Sequence, residues 1–172
     1  MLLFLNATNV TKSGFNFKNV EYISKIKDSV LSKGKIRLKD IVITTRGTVG
    51  NIAYYSNKIG LKNMRINSGM VIIRSDDKEL LNEFLYHSLQ SFYFDFNYNK
   101  FASGSAQPQL PIKDLGNFMV PIPKINEQLK IIKVANQISN KILLSNVQLE
   151  KYKNLKKALM QDLLTGKVKL KR

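Results

Sequence analysis

Three stretches rich in Lys, Arg, Ser, Thr, Asn and Gln carry the side chains of this sequence that are best suited to chemistry. That chemistry is hydrogen bonding to nucleic acid, because Arg and Gln make paired contacts with base edges and the others contact phosphates. Any single one of them is better explained as an ordinary turn residue, so the hypothesis depends on the set. The candidates are Lys12, Ser13 and Asn16; Thr45, Arg46 and Thr48; and Lys100, Ser103, Ser105, Gln107 and Gln109.

Residues that could form a catalytic or metal centre are scarce. His87 is the only histidine and the chain has no cysteine, so neither a zinc site nor a Ser-His-Asp triad is expected. Gly47 and Gly50 lie in TTRGTVGN, which matches neither phosphate-binding glycine motif and is typical of a tight turn between strands. The sequence therefore predicts a protein that binds rather than an enzyme, with no cofactor or metal of its own.

The charge balance points to a polyanionic partner. The 172 residues carry 28 Lys and Arg against 12 Asp and Glu, a formal net charge of +16. Basic side chains that neutralise phosphates release counterions, which favours binding to nucleic acid. An anionic membrane surface is the weaker alternative. With 44% hydrophobic residues the chain can also bury a core.

No targeting or membrane-spanning segment is expected. The opening MLLFLNATNV lacks a basic n-region and a small-residue cleavage site, and no apolar run approaches about 18 residues. We therefore predict a cytoplasmic protein.

The periodicity of the apolar residues predicts an α+β fold in which a small β-rich domain with one packed helix precedes one long C-terminal helix. The domain is expected at residues 1–123 and the helix with its basic tail at residues 124–172. Expected strands cover Leu3–Asn9, Asp40–Thr45, Asn51–Ser56, Met70–Arg74 and Met119–Ile122, and the packed helix covers Asp77–Phe94.

The C-terminal segment has the apolar spacing of a coiled coil, with a mean step of about 3.5 residues. At about 1.5 Å per residue such a helix is roughly 57 Å long, too long to bury its apolar stripe against a domain of this size. It therefore needs a second helix. The predicted interface residues are Leu129, Ile132, Ala135, Ile138, Ile142, Leu149, Tyr152, Leu155, Leu159 and Leu163.

The stretch VPIPKINEQLKII joins the two predicted parts. Pro121 and Pro123 fix an extended backbone before the helix, so the helix can begin only after them. Asn126 is the expected N-cap, and Gly166 is the expected residue that ends the helix.

In sequence order these segments resemble the specificity subunits of type I restriction-modification systems. The resemblance covers nearly the whole chain, and its strongest parts are PIPKINEQ and LMQDLLTGK. The segments that carry it are FLNATNVTKSGFNFKNVEYIS, DIVITTRGTVGNIAYY, INSGMVIIR, EFLYHSLQS, SGSAQPQLPIKDLGNFMVPIPKINEQLKII and LKKALMQDLLTGKVK.

The resemblance implies a target-recognition domain that reads one half of a split site in double-stranded DNA, joined to a helix that acts as a spacer. It implies methyltransferase subunits as partners, and in the nuclease form restriction subunits as well. S-adenosylmethionine and ATP would then belong to those subunits. A complete subunit has two recognition domains and two helical regions, and the resemblance covers a single half of it. This half is shorter at its N-terminus than the corresponding half of a complete subunit.

Two hypotheses follow for such a half. In the first, the helix pairs with the same helix of a second copy, and the resulting dimer reads an interrupted palindrome. In the second, the chain is a truncated remnant whose helix docks on other subunits without selective DNA binding.

Overall fold

The computed structural model of the chain describes residues 1–101 and 109–168. Over these residues it contains eight short strands, with one short α-helix between the fourth and fifth, followed by four further α-helices, of which the last is by far the longest. The strands are β1 (Leu2–Leu5), β2 (Val10–Thr11), β3 (Gly14–Phe15), β4 (Glu21–Ile23), β5 (Ile41–Thr44), β6 (Ile52–Tyr54), β7 (Met64–Ile66) and β8 (Met70–Ile73). The helices are α1 (Lys25–Val30), α2 (Asn82–Leu89), α3 (Phe92–Phe101), α4 (Ile112–Leu115) and α5 (Ile125–Leu164). The predicted α+β class is confirmed.

Three small sheets organise the strands. One has the order β4-β1-β7, in which β1 pairs antiparallel with β4 and parallel with β7. Another has the order β6-β5-β8, and both of its pairings are antiparallel. The third is the β2-β3 hairpin. Central strand β5 is buried along its whole length, which fits its run of β-branched residues.

Two apolar clusters form the core. The first lies around β1 and β7 and includes Leu5 and Met64, which are 0% and 1% exposed. The second packs α2 and α3 against the β6-β5-β8 sheet through residues such as Ile43, Leu89 and Phe94. Both clusters draw on β5, since alternate residues of a strand face opposite sides. Strand β5 therefore anchors the segment that precedes Ile41 and the turn that follows Thr44 to both clusters.

The chain divides into two compact units, residues 1–129 and residues 130–172. The predicted boundary followed residue 123, so the first unit also takes in the junction and the first turn of α5. No helix in the described part of the chain combines the length and the apolar character that crossing a bilayer requires.

The expected single helix over Asp77–Phe94 was wrong, because side-chain hydrogen bonds to the backbone interrupt it. The Asp77 carboxylate accepts from the Glu79 N–H at 2.8 Å, which delays the start of α2. Past the end of α2, the Ser91 hydroxyl donates to the Ser88 carbonyl at 2.6 Å and accepts from the Tyr93 N–H at 3.3 Å. Such local bonds compete with helical ones, so two helices form in place of one.

The expected strand at Met119–Ile122 was also wrong, since the structure describes no strand there. The buried amide of Asn97 takes the place of a neighbouring strand. It donates to the Met119 carbonyl at 2.9 Å and accepts from the Met119 N–H at 3.0 Å. A side chain of α3 thus satisfies backbone groups that a sheet would otherwise pair.

Helix α5 begins within the first unit. Its first residue is Ile125, so Asn126 lies inside the first turn and its prediction as the N-cap was wrong. The Lys124 carbonyl accepts from the N–H groups of Glu127 and Gln128 at 2.8 and 3.0 Å. At the other end Gly166 has φ of +72°, which confirms the predicted terminating glycine.

The Gln128 side chain fixes this first turn. It is fully buried, and its amide oxygen accepts from the Leu81 N–H at 2.9 Å. Its amide nitrogen donates to the carbonyls of Glu79 and Pro123 at 2.6 and 2.8 Å. One side chain therefore joins the start of α5, the segment before it and the segment before α2.

The turn between β5 and β6 rests on α3. Gly50 has φ of +86°, and a Cβ placed on it would lie 2.6 Å from Cε1 of Phe94, which is buried. Gly47 in the same turn has φ of +73°, but a Cβ there would meet nothing within 4 Å. Both positions favour glycine by conformation, and Gly50 also allows the backbone to approach the aromatic ring closely.

We predict that Gln128→Ala lowers the free energy of unfolding by on the order of 3 kcal/mol, because it leaves buried backbone groups without partners. Chemical denaturation followed by circular dichroism measures this loss. Gln137→Ala is the matched control, since Gln137 is exposed on the same helix. Equal stability of the two variants would contradict the role assigned to Gln128.

We predict that Gly47→Ala costs about 1 to 2 kcal/mol of stability, from the positive φ alone. Gly50→Ala should cost about 1 to 3 kcal/mol more, because the added methyl overlaps the Phe94 ring. The shorter side chain of Phe94→Leu should recover part of that additional loss in the double variant. Thermal unfolding of the four variants tests the packing, and identical losses at the two glycines would disprove it.

Candidate nucleic-acid interface

The first predicted loop is the turn of the β2-β3 hairpin. Lys12 and Ser13 are exposed at its tip. The hydroxyl of Thr11 holds the turn closed, donating to the Gly14 carbonyl at 3.0 Å and accepting from the Ser13 N–H at 3.2 Å. Asn16 follows β3, is half-buried and accepts from the Lys18 N–H through its side chain at 3.0 Å. Lys12 and Ser13 are therefore free to contact a ligand, whereas Asn16 also orders its own loop.

The second predicted loop follows β5. Arg46 and Thr48 are exposed, as an interface requires. Thr45 is only 5% exposed, and its hydroxyl donates to the Gly69 carbonyl at 3.2 Å. The hydroxyl of Thr44 donates to the Thr48 carbonyl within the turn. Thr45 thus ties the loop to the segment before β8, whereas the side chains of Arg46 and Thr48 are exposed to solvent.

The structure brings the second and third loops together. Arg46 and Gln109 form an isolated antiparallel bridge, and both are exposed. Next to them the Leu110 N–H donates to the Thr45 carbonyl at 2.9 Å. Residues that lie opposite each other in an antiparallel pair project to the same face, with Cβ atoms about 4.5 to 5.5 Å apart. Arg46 and Gln109 therefore lie side by side despite their separation in sequence.

Asn51, which the sequence did not single out, connects this turn to the hairpin. Its side-chain amide donates to the Val10 carbonyl at 2.9 Å. Its N–H donates to the Thr44 hydroxyl at 3.0 Å. The first two loops therefore share a rigid base. Nothing in the sequence near Asn51 indicates a contact with a residue so distant in the chain.

Lys100 lies in the last turn of α3. Its Nζ sits 4.0 Å from the ring centroid of Phe96, a cation–π contact on an exposed side chain. The Phe92 ring lies beside that of Phe96, tilted by 36° with a centroid separation of 5.5 Å. Lys100 thus belongs to an exposed group of aromatic and basic side chains. The predictions for Ser103, Ser105 and Gln107 lie outside the residues that the structure describes.

The loops carry positive charge with no acidic residue among them. Residues 11–20, 45–51 and 96–113 contain no Asp or Glu. Lys12, Lys18, Arg46 and Lys100 contribute basic charge, and they are exposed. A surface of this composition attracts phosphates at long range and leaves its side chains free of competing carboxylates.

Titratable groups beneath the loops do not suggest acid–base chemistry at neutral pH. Burial, with a smaller contribution from Glu83, raises the pKa of Tyr54 to about 12. Tyr86, which stacks on Tyr54 with centroids 5.5 Å apart, also has its pKa raised, mainly by burial. Both hydroxyls therefore stay protonated. Within residues 1–101 and 109–168 there is no cluster of His, Asp and Glu suited to a metal ion.

The predicted helix interface is largely exposed in the single chain. Ile132 is buried and Ala135 is half-buried. The exposed members span 36% to 57% exposure and are Leu129, Ile138, Ile142, Leu149, Tyr152, Leu155, Leu159 and Leu163. A stripe of this length on one helix favours contact with another helix.

Comparisons with known proteins agree with this architecture. Residues 5–154 match the model of the family described as the type I restriction modification DNA specificity domain. The MjaVIII specificity subunit of a type I restriction enzyme from Methanocaldococcus jannaschii is 27% identical over 91% of this chain and 36% of its own length. The EcoBI specificity subunit from Escherichia coli is 26% identical over 78% of this chain and 28% of its own length. The chain thus spans about a third of these relatives.

Solved structures show the same fold. The HsdS subunit from Thermoanaerobacter tengcongensis has a TM-score of 0.67 at 18% identity, covering 93% of this chain and 41% of that one. A chain from a study of complex assembly and conformational transition in the type I R-M system has a TM-score of 0.71 at 19% identity, covering 99% and 45%. Because the family model covers most of the sequence, this chain belongs to the family described as the type I restriction modification DNA specificity domain.

Proposed function

We propose that this chain reads one half of a two-part DNA sequence through the exposed loops of its first unit. The observation that supports this most directly is the bridge between Arg46 and Gln109, two exposed residues from distant parts of the chain. Arg makes paired contacts with guanine and Gln with adenine in the major groove. Side by side on a rigid base, they are suited to reading neighbouring bases.

Electrostatics support DNA as the ligand of these loops. Lys12 and Lys100 belong to the first and third predicted loops and are exposed, and the loop segments hold no carboxylate. Contacts to phosphates position a protein on the duplex, whereas contacts to base edges give it specificity. Lys12 and Lys100 serve the first purpose in this proposal, and Arg46 with Gln109 serves the second.

Family membership supports the proposed partners. Methyltransferase subunits that carry S-adenosylmethionine would modify the DNA that this chain selects, and restriction subunits that use ATP would join the nuclease form. The chain would direct both to a bipartite site. The chain spans about a third of the length of these relatives, and in this proposal a second chain supplies the second recognition domain.

The long helix supports a second copy of this chain as that other chain. Its apolar stripe continues from Ile138 to Leu163 with most members at least half exposed. Helix α5 has 40 residues, about 60 Å at 1.5 Å per residue, so antiparallel pairing would hold two recognition domains at a fixed separation. A two-fold dimer reads a two-fold site, here an interrupted palindrome.

The same stripe also supports the alternative function, a remnant that acts only as a helical interaction module. The two proposals differ in their DNA binding, because the remnant would bind all duplexes alike. Selective binding at about 150 mM salt, near physiological ionic strength, separates them.

To test base reading, the preferred duplex is first selected from a random pool by the wild-type chain. We expect Arg46→Ala and Gln109→Ala each to reduce discrimination at one base pair by about 1 to 3 kcal/mol. Fluorescence anisotropy with single-base variants of the duplex measures this change. Lys58→Ala and Gln161→Ala remove exposed side chains of similar type elsewhere and should leave discrimination intact. Unchanged discrimination in both loop variants would contradict the proposed reading residues.

To test pairing of the helix, sedimentation equilibrium of the full chain is compared with its calculated mass of 19.7 kDa. We expect twice that mass for the wild type, and a single-chain mass when Ile142→Glu and Leu149→Glu place charges in the apolar stripe. Asn140→Glu with Asn154→Glu adds the same charge on the opposite face and should leave the dimer intact. A wild-type chain that sediments as a monomer at micromolar concentration would disprove self-pairing.

A further inference from the structure

A second basic surface lies in the sequence KGKIRLK, residues 33–39, which the predicted loops do not include. Basic residues occupy every second position, at Lys33, Lys35, Arg37 and Lys39, and all four are exposed. In an extended backbone, alternate residues project to the same side. The pattern therefore places Lys35 and Arg37 on one side of the segment, with Lys33 and Lys39 at its two ends.

Hydrogen bonds show that this segment is extended around Lys35 and Ile36, whereas the backbone turns at Gly34 and Lys39, whose φ values are +92° and +70°. The Ile36 N–H donates to the Met64 carbonyl at 3.0 Å, and the Ile66 N–H donates to the Gly34 carbonyl at 2.9 Å. Lys35 lies opposite Arg65 in an antiparallel bridge. Ile36 is buried in the core, so its neighbours Lys35 and Arg37 face outward. The segment continues the β4-β1-β7 sheet beyond β7.

A pocket of about 520 Å³ opens beside this segment. Its lining includes Lys33, Lys35, Arg37 and Arg74. Asp40, which is fully buried, holds the Arg74 guanidinium in place, with Nε to Oδ1 and Nη2 to Oδ2 distances both 2.6 Å. Arg74 is thus fixed in orientation while a third of its side chain remains exposed. We call Lys33, Lys35, Arg37 and Arg74 the basic strip.

The strip keeps an excess of positive charge after its ion pairs are counted. Asp28 lies 2.8 Å from Arg65 and 3.2 Å from Lys35, and the bond from Arg65 is the main cause of the lowered pKa of Asp28. Asp40 pairs with Arg74. In the part of the chain that the structure describes, Lys33 and Arg37 have no carboxylate within ion-pair distance, so their charges are available to a ligand.

The strip is separate from the proposed base-reading loops. In the β5-β8 pairing, Ile41 lies opposite Ile73 and Thr44 lies opposite Met70. Asp40 and Arg74 therefore continue from one end of this pair, whereas Arg46 follows its other end. The strip cannot be part of the Arg46 and Gln109 surface.

We infer that the basic strip binds backbone phosphates of duplex DNA without reading bases, an inference that rests on the proposed function. Lys35 and Arg37 lie two residues apart on the extended part of the segment, about 6.6 Å at 3.3 Å per residue. Each DNA strand carries one phosphate per about 3.4 Å of helix axis, so cations at this spacing can contact separate phosphates. Alternating cations on a rigid sheet edge, with a fixed guanidinium beside them, match such a row of charges.

The salt dependence of binding tests this inference. Lys33→Gln with Arg37→Gln removes the two unpaired cations and leaves the Asp28 and Asp40 ion pairs intact. For a loss of two phosphate contacts, the slope of log K against log salt should fall in magnitude by about 1.8 for the selected and the random duplex alike. The ratio of the two affinities should not change. Lys58→Gln with Lys78→Gln lowers the net charge equally at exposed positions outside the strip and is the control.

Three results would overturn the inference: an unchanged slope, an equal fall in the control, or a change confined to the selected duplex. Shifts of the strip's amide signals with inorganic phosphate, without any change in DNA binding, would assign the pocket to a small anion and also overturn it. Failure of the proposed function is recognised separately, because the wild-type chain would then bind the selected and random duplexes equally. A smaller salt slope on random DNA would still show that the strip contacts phosphates.

Discussion

Buried side-chain amides satisfy the backbone where this fold has no regular ladder, and the rest of the structure depends on them. Asn9, Asn97 and Gln128 are 2%, 1% and 0% exposed. Asn9 donates to the carbonyls of Asn16 and Asn19, and the other two serve Met119 and the segment before α2. Short strands leave many backbone groups in the connections between them, and unpaired buried groups are costly. These amides therefore make long, irregular loops rigid enough to carry a binding surface.

Hydrogen bonds from side chains also decide which parts of the fold could be predicted from the sequence. Strands β5, β6 and β8 and the length and end of α5 follow from local β-branched runs, helical spacing and a terminal glycine. The break at Ser91 and the pairing of Met119 with Asn97 depend on particular side chains, one of them distant in sequence, so periodicity misjudged both. The exposed loop residues were predictable by type, but the placement of Arg46 beside Gln109 and the burial of Thr45 required the three-dimensional structure.

The two proposals assign separate tasks to three surfaces of different physical character. In them, Arg46 and Gln109 read bases, the basic strip contacts phosphates, and the apolar stripe of α5 pairs with a second helix. The strip and the stripe each rely on one type of interaction, so either can be altered without changing the residues that read bases.

The most direct measurement is to express the chain with a methyltransferase subunit of a type I system and map the methylated adenines in the host DNA. The account predicts methylation at one interrupted palindrome, because two copies of one recognition domain read two identical half-sites in opposite orientation. Methylation at an asymmetric site, or none while the complex assembles, would contradict it.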